Sequence, residues 1–227
     1  MKSLNQFIQE KLIIENNKTN YNYQPKTRDE LRDIIEQRIN KEGNEVDLND
    51  IDTSSVTDMF YLFEKLSFNG DISKWDVSNV TDMRGMFDGC KNFNQDISNW
   101  DVSNVTDMAD MFYYCKNFNQ DLSKWDVSNV TDMTNMFFQC EKFNGDISEW
   151  DVSNLIYACN MFYNCKNFNQ DISKWDVSNV KDMRNMFYQC EKFNSDISSW
   201  DVSNVKDRAG VFDKCSIEER YKPNFKK

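Results

Sequence analysis

Seven cysteines and two columns of aspartates are the residues in this 227-residue sequence whose types could do chemistry. Six of the cysteines recur at a spacing of 25 residues: Cys90, Cys115, Cys140, Cys165, Cys190 and Cys215. Such a set could form zinc sites or disulfides, but the CxxC spacing of zinc motifs is absent. Because each of these cysteines shares a face with Met and Phe, we predict reduced thiols packed in a core. Cys159 stands outside the column and is predicted to be more exposed.

The aspartates follow the same period, one before Ile or Leu and one after Trp. They are Asp71, Asp96, Asp121, Asp146, Asp171 and Asp196, and Asp76, Asp101, Asp126, Asp151, Asp176 and Asp201. Stacked carboxylates repel one another unless they are compensated, so calcium binding is one interpretation. The other is that each Asp accepts hydrogen bonds from loop N–H groups, which we favour because the same Asp occurs in every copy.

A column of asparagines is interpreted in the same way, as a hydrogen-bonded ladder. Its members are Asn94, Asn119, Asn144, Asn169 and Asn194. Identical carboxylates in every copy provide no unique acid–base pair, and the chain has no His. We therefore predict a non-enzymatic protein with no catalytic residue, no cofactor and no metal.

The elements that carry these columns follow from the 25-residue period, which is typical of a repeat array. In each copy one segment has apolar residues at helical spacing, as in Val80, Met83 and Phe87, and predicts a short helix. The next segment, residues 97–102, has Trp100 and Val102 on one side and predicts a strand. We therefore predict an α/β fold: a right-handed, curved β/α solenoid with a parallel concave sheet, short convex helices and a helical N-terminal cap.

Two phrases, "MFxxCxxFN" and "DISxWDVSNVTDM", recur through residues 46–215. They resemble the mycoplasma-type 25-residue repeat family of unknown function, in the BspA-like branch of leucine-rich repeat proteins. The resemblance implies a leucine-rich-repeat-like horseshoe and a role in adhesion or protein binding, often on a cell surface.

Three regions are predicted: a helical cap or docking segment at residues 1–45, about seven repeats at residues 46–215, and a C-terminal tail or cap at residues 216–227. Residues 4–12 carry one amphipathic pattern. A second helix should begin at the capping box formed by Thr27 and Glu30 and end at Gly43.

The composition of the chain limits the classes of partner that it can bind. The net charge of -11 and the pI of 4.6 oppose binding to nucleic acid. No apolar stretch approaches the ~20 residues of a membrane helix, so we predict no membrane insertion. No signal peptide is visible, which favours the cytoplasm, whereas the family resemblance favours a cell surface or a virion.

Two rows that differ between copies are the candidate partner-binding residues. One, predicted to face the concave side, is Lys74, Asn99, Lys124, Glu149, Lys174 and Ser199. The other is an aromatic row of Tyr113, Phe138, Tyr163 and Tyr188, interpreted either as an exposed anchor or as packing between neighbouring helices. We expect a non-catalytic scaffold that binds a protein of unknown identity. The alternative is a self-associating structural component, associated with a phage or a surface, that docks through its N-terminal helices.

Overall fold

The computed structural model describes residues 21–225, whose repeated part is built from turns. Within these residues one α-helix, α1 (Arg28–Glu42), precedes the copies, and a 3-10 helix (Glu219–Tyr221) follows them. The copies stack, and no strand within residues 21–225 is longer than one bridged residue. Parallel bridges join Tyr23 to Ile51 and then successive copies, pairing residues 58 with 82, 82 with 107, 107 with 132, 132 with 157, 157 with 182 and 182 with 207.

Helix α1 begins and ends where the sequence predicted. Thr27 is the N-cap and accepts a hydrogen bond from the Glu30 N–H, and Gly43 ends the helix with a φ of 94°. Leu31 and Ile35 are fully buried. The amphipathic pattern at residues 4–12 lies outside the described residues.

Two arginines of α1 bind the carbonyl groups of the first copy. Arg28 donates to the Phe60 carbonyl at 2.8 Å, and Arg32 donates to those of Tyr61 and Leu62. The Phe60 and Leu62 carbonyls stand where, in the next copy, the carbonyls of Arg84 and Met86 accept from the preceding copy. Helix α1 therefore acts as a polar and apolar cap on the first copy.

The core is a set of aromatic columns that run through the stack. Rings of the Phe87, Phe112 and Phe137 column lie 5.6 Å apart between copies. Rings of the Phe93, Phe118 and Phe143 column lie 6.0 Å apart, and all of these side chains are fully buried. Since each ring packs on its equivalent in the next copy, a copy depends on its neighbours to complete its core.

The predicted convex helices are wrong. In residues 83–90 the N–H groups of Met86, Asp88 and Cys90 bond to carbonyls three residues earlier, which makes consecutive turns. The alternate N–H groups, as in Gly85 and Gly89, bond instead to carbonyls of the next copy.

Backbone conformation explains this difference. Gly85 and Gly89 have φ values of 57° and 75°, in the left-handed region that a right-handed helix excludes. The same two positions are left-handed in every copy; the remaining members are Tyr61, Asp110, Asn135, Asn160, Asn185 and Gly210, and Lys65, Tyr114, Gln139, Asn164, Gln189 and Lys214. A positive φ at the third residue is the feature of a type II turn.

The predicted concave sheet is also wrong, and with it the α/β solenoid of the leucine-rich-repeat type. Residues 97–102 begin with a turn in which the Trp100 N–H bonds to the Ile97 carbonyl at 3.2 Å, and the next turn joins Val102 to Val105. With a turn every five residues, the segment has no room for a strand. Trp100 and Val102 are nevertheless buried, and Asp101 between them is exposed, as the alternation indicated.

Candidate interaction surface

The carboxylates of both aspartate columns are engaged in turns. Asp96 accepts a hydrogen bond from the Ser98 N–H at 2.9 Å, and Asp101 accepts from the Ser103 N–H and hydroxyl. Every other member bonds the N–H two residues ahead in the same way. These bonds lower the pKa of Asp96 and of Asp101. The prediction that these aspartates organise turns is confirmed.

The asparagine ladder is also confirmed. The side-chain oxygen of Asn94 accepts from the Asn119 N–H at 2.8 Å, and Asn119 accepts from Asn144 at 2.7 Å. The ladder runs without interruption from Asn69 to Glu218. A single amide at this position therefore joins each copy to the next.

The cysteine column lies in the core, as predicted, and all seven cysteines are free. The thiol of Cys140 is fully buried and lies 3.0 Å from the Phe112 carbonyl. Burial raises the pKa of this thiol well above its usual value. Cys159 is also buried, but its exposed fraction of 9% exceeds the 0% of the five buried column cysteines, as predicted. Only Cys215, at the end of the column, is more exposed. Within residues 21–225 no group of Cys, Asp and Glu side chains is arranged to hold a metal ion.

The polar row is continuous and exposed, although no sheet carries it. Its members occupy one turn position in successive copies: Lys74, Asn99, Lys124, Glu149, Lys174 and Ser199. Lys124 donates to the Asn99 side chain at 3.1 Å, and Lys174 pairs with Glu149 at 2.6 Å. The structure therefore brings these residues together, and pairs some of them with one another.

The aromatic row forms one stack. The ring centroids of Tyr113 and Phe138 lie 4.7 Å apart, those of Phe138 and Tyr163 lie 4.5 Å apart, and those of Tyr163 and Tyr188 lie 4.6 Å apart. All four side chains are partly exposed. The ring faces therefore cover one another, as in the packing interpretation, while part of each ring still reaches solvent.

Charged residues flank this stack. Lys214 donates to the Tyr188 hydroxyl at 2.7 Å, and its ammonium lies 5.0 Å from the ring centroid. At the other end, burial and the nearby carboxylates of Glu64 and Asp110 raise the pKa of Asp88 to about 6. The row is thus a hydrophobic strip with a cation at one end and a carboxyl group at the other.

Tyr157 is a surface residue that the sequence analysis missed. It is 46% exposed, the most exposed large hydrophobic side chain within residues 21–225. It stands where Asp58, Asp82, Asp107, Asp132, Asp182 and Asp207 stand in the other copies, each bonding the N–H two residues ahead. The disturbed phrase at residues 155–159 carries this signal, but the sequence alone does not show that Tyr157 in this phrase reaches solvent.

No helix within residues 21–225 has both the length and the apolar character needed to cross a membrane. No curated protein and no solved structure matches the chain. The family model described as "Mycoplasma protein of unknown function, DUF285" matches it twice, over residues 31–138 and 120–222. Since these matches span most of the sequence, the chain belongs to this mycoplasma-type family of repeated domains of unknown function.

Proposed function

We propose that this chain is a non-catalytic scaffold that binds another protein through the aromatic row of Tyr113, Phe138, Tyr163 and Tyr188. The observation that carries the proposal is the stacking of four partly exposed rings at 4.5–4.7 Å across four copies. Stacked rings are already ordered before a partner arrives, so binding loses little side-chain entropy. Tyr is enriched among the residues that dominate binding energy.

The rest of the chemistry supports a non-catalytic role. The aspartate columns hold turns together, and the columnar cysteines are buried thiols with raised pKa values. Adhesion, which the BspA-like resemblance implies, would be the same binding event with the partner on another cell.

Docking through the N-terminal helices is less well supported for α1. Its buried face, Leu31 and Ile35, packs in the core cluster, and Arg28 and Arg32 bind first-copy carbonyls. Self-association predicts a mass that rises with protein concentration, whereas a binding scaffold stays monomeric. Analytical ultracentrifugation distinguishes the two.

The test is a pull-down from the native source with the chain and with a variant carrying Tyr113→Ser, Phe138→Ser, Tyr163→Ser and Tyr188→Ser. The matched control changes Lys74, Lys124 and Lys174 of the polar row to Ser. We expect a partner that the aromatic variant loses and the control retains. Retention by a folded aromatic variant, checked by circular dichroism, would overturn the proposal.

A second measurement does not require removal of the rings. A photoreactive p-benzoylphenylalanine at position 163 should crosslink the same partner, while the same group at position 74 should not. Crosslinking from position 74 alone would indicate that the partner binds the polar row and not the aromatic row.

A further inference from the structure

A strip of lysines follows the cysteine column and is independent of the aromatic row. Five successive copies each place one lysine at one of two adjacent positions: Lys91, Lys116, Lys142, Lys166 and Lys192. Where the first position holds Glu141 or Glu191, the second holds lysine. The copies therefore retain one cation each on this strip, although the chain as a whole carries a net charge of -11.

Ion pairs within the strip satisfy only part of this charge. Glu141 pairs with Lys116 and with Lys166, each at 3.0 Å. Lys91, Lys142 and Lys192 are exposed, and none of the three forms an ion pair with another residue in 21–225. Of these three, Lys142 and Lys192 lie two copies apart beside one cavity, and both remain available for an anionic ligand.

The surface between these lysines is concave. An open cavity of about 470 Å³ lies along the strip, lined by the Lys and Glu side chains together with Asn117 and Asn167. Amide side chains donate and accept hydrogen bonds, so they suit a peptide backbone as well as a carboxylate.

The neighbouring columns limit the width of the ligand. In each copy an exposed aspartate follows the strip lysine by four or five residues, and these aspartates form the column that includes Asp121, Asp146 and Asp171. A broad polyanion such as a nucleic acid duplex would meet this column and be repelled. A single extended chain would lie on the strip alone.

The pitch of the stack also suits an extended chain. Equivalent rings on the two sides of the strip lie 4.7 Å apart at Tyr113 and Phe138 and 6.0 Å apart at Phe118 and Phe143. Side chains at alternate positions of an extended peptide are about 6.6 Å apart. A carboxylate at every second residue therefore stays within reach of the long lysine side chains over two or three copies.

We propose that the lysine strip binds an extended acidic peptide segment of a partner protein, with a carboxylate at every second residue. Attraction between the unpaired lysines and the carboxylates orients the peptide and raises its association rate. This attraction weakens as salt screens the charges.

The test uses a fluorescein-labelled peptide of five Glu-Ser units and fluorescence anisotropy at 50 and 150 mM salt. The variant is Lys142→Gln with Lys192→Gln, and the matched control is Lys74→Gln with Lys124→Gln, which changes the net charge equally. We expect the strip variant to weaken binding by about fivefold or more and the control to change it by less than about twofold. Equal weakening by both variants, or no binding by the unaltered chain, would overturn the proposal.

Two further ligands test the class of partner. A peptide with the same composition but five consecutive Glu should bind more weakly, because only alternate side chains share a face. The proposal would also be contradicted if duplex DNA, or vesicles of phosphatidylserine, bound through Lys142 and Lys192 more tightly than the Glu-Ser peptide does. None of these measurements uses the partner of the aromatic row, so the two proposals fail independently.

Discussion

The indole Nε1 of Trp125 donates a hydrogen bond to the main-chain carbonyl of Ile97, 28 residues earlier, at 3.0 Å. The same bond joins the other five tryptophans to the preceding copy, at 2.9–3.2 Å. The indole is buried, so one side chain contributes both apolar core and a link between copies. This explains why Trp stands at this position in every full copy.

Replacing Trp125 with Phe should show how much this hydrogen bond between copies contributes to the stability of the chain. The variant keeps an aromatic ring but removes one of the two donors to the Ile97 carbonyl, which still accepts from the Trp100 N–H at 3.2 Å. We therefore expect the free energy of unfolding to fall by about 0.5–1.5 kcal/mol, the net contribution of one hydrogen bond. Urea denaturation followed by circular dichroism measures the change. A loss below about 0.5 kcal/mol would mean that the hydrogen bond contributes little beyond the packing of the ring.

Glycine positions distinguish turns from the helix that the apolar spacing suggested. A Cβ at Gly89 would meet no atom closer than 3.5 Å, so strain from its φ of 75° is the main effect of Gly89→Ala. We expect this variant to lose about 1 kcal/mol. In a helix the same change would gain about 1 kcal/mol. The sign of the change in the free energy of unfolding, measured by urea denaturation, distinguishes the turn from the helix.

Gly85→Ala provides the matched comparison. Its φ is 57°, and a Cβ there would lie 2.2 Å from the Tyr61 ring. Strain and overlap both apply, so we expect a larger loss than at Gly89, of about 2 kcal/mol or more. Equal losses at the two positions would show that the Tyr61 ring moves aside without cost.

Core columns and turn chemistry could be predicted from the sequence, whereas the local backbone could not be predicted from apolar spacing alone. Met83, Met86 and Phe87 are buried in the turns of the structure, just as they would be on one face of a helix, so burial does not separate the two. The distinguishing signal was Gly, Asn or Asp at the positions of Gly85, Asp110 and Asn135, since these residues favour the left-handed conformation.

The candidate rows were predictable as rows because a fixed period places equivalent residues side by side. The contacts that the residues of each row make could not be predicted from the sequence. The pairing of Lys174 with Glu149 and the stacking of Tyr163 on Phe138 depend on distances between copies that only a backbone supplies. Tyr157 was missed because a single departure from a repeat does not show which of its residues reaches solvent.

Asp88 should make stability depend on pH. Burial and the carboxylates of Glu64 and Asp110 raise its pKa to about 6, from an ordinary value of 3.8. The folded chain keeps a proton that the unfolded chain releases, so the contribution of Asp88 lowers stability as pH rises from about 4 to 6. We expect Asp88→Asn to match the unaltered chain at pH 3 and to exceed it by roughly 1 kcal/mol at pH 7.

A variant of opposite sign serves as the control for this pH dependence. Hydrogen bonds from Ser98 lower the pKa of Asp96, so its ionised form stabilises the fold above its ordinary pKa and that contribution is lost as pH falls. Asp96→Asn should therefore lose stability at pH 7 and not at pH 3. If Asp88→Asn behaved in the same way, Asp88 would be ionised throughout this range in the folded chain.

Tyr157→Asn should stabilise the chain although it removes a large side chain. The Cys159 N–H has no acceptor within residues 21–225, whereas in another copy Asp107 accepts from the Ala109 N–H at 3.0 Å. An Asn at position 157 offers the same oxygen without adding a charge beside Asp132 and Asp182, so we expect a gain of about 0.5–1.5 kcal/mol. Tyr157→Ala lacks the acceptor and should show no gain. If Ala stabilised the chain as much as Asn, the gain would come from removing the exposed ring, and the turn at residues 157–159 would need no side-chain acceptor.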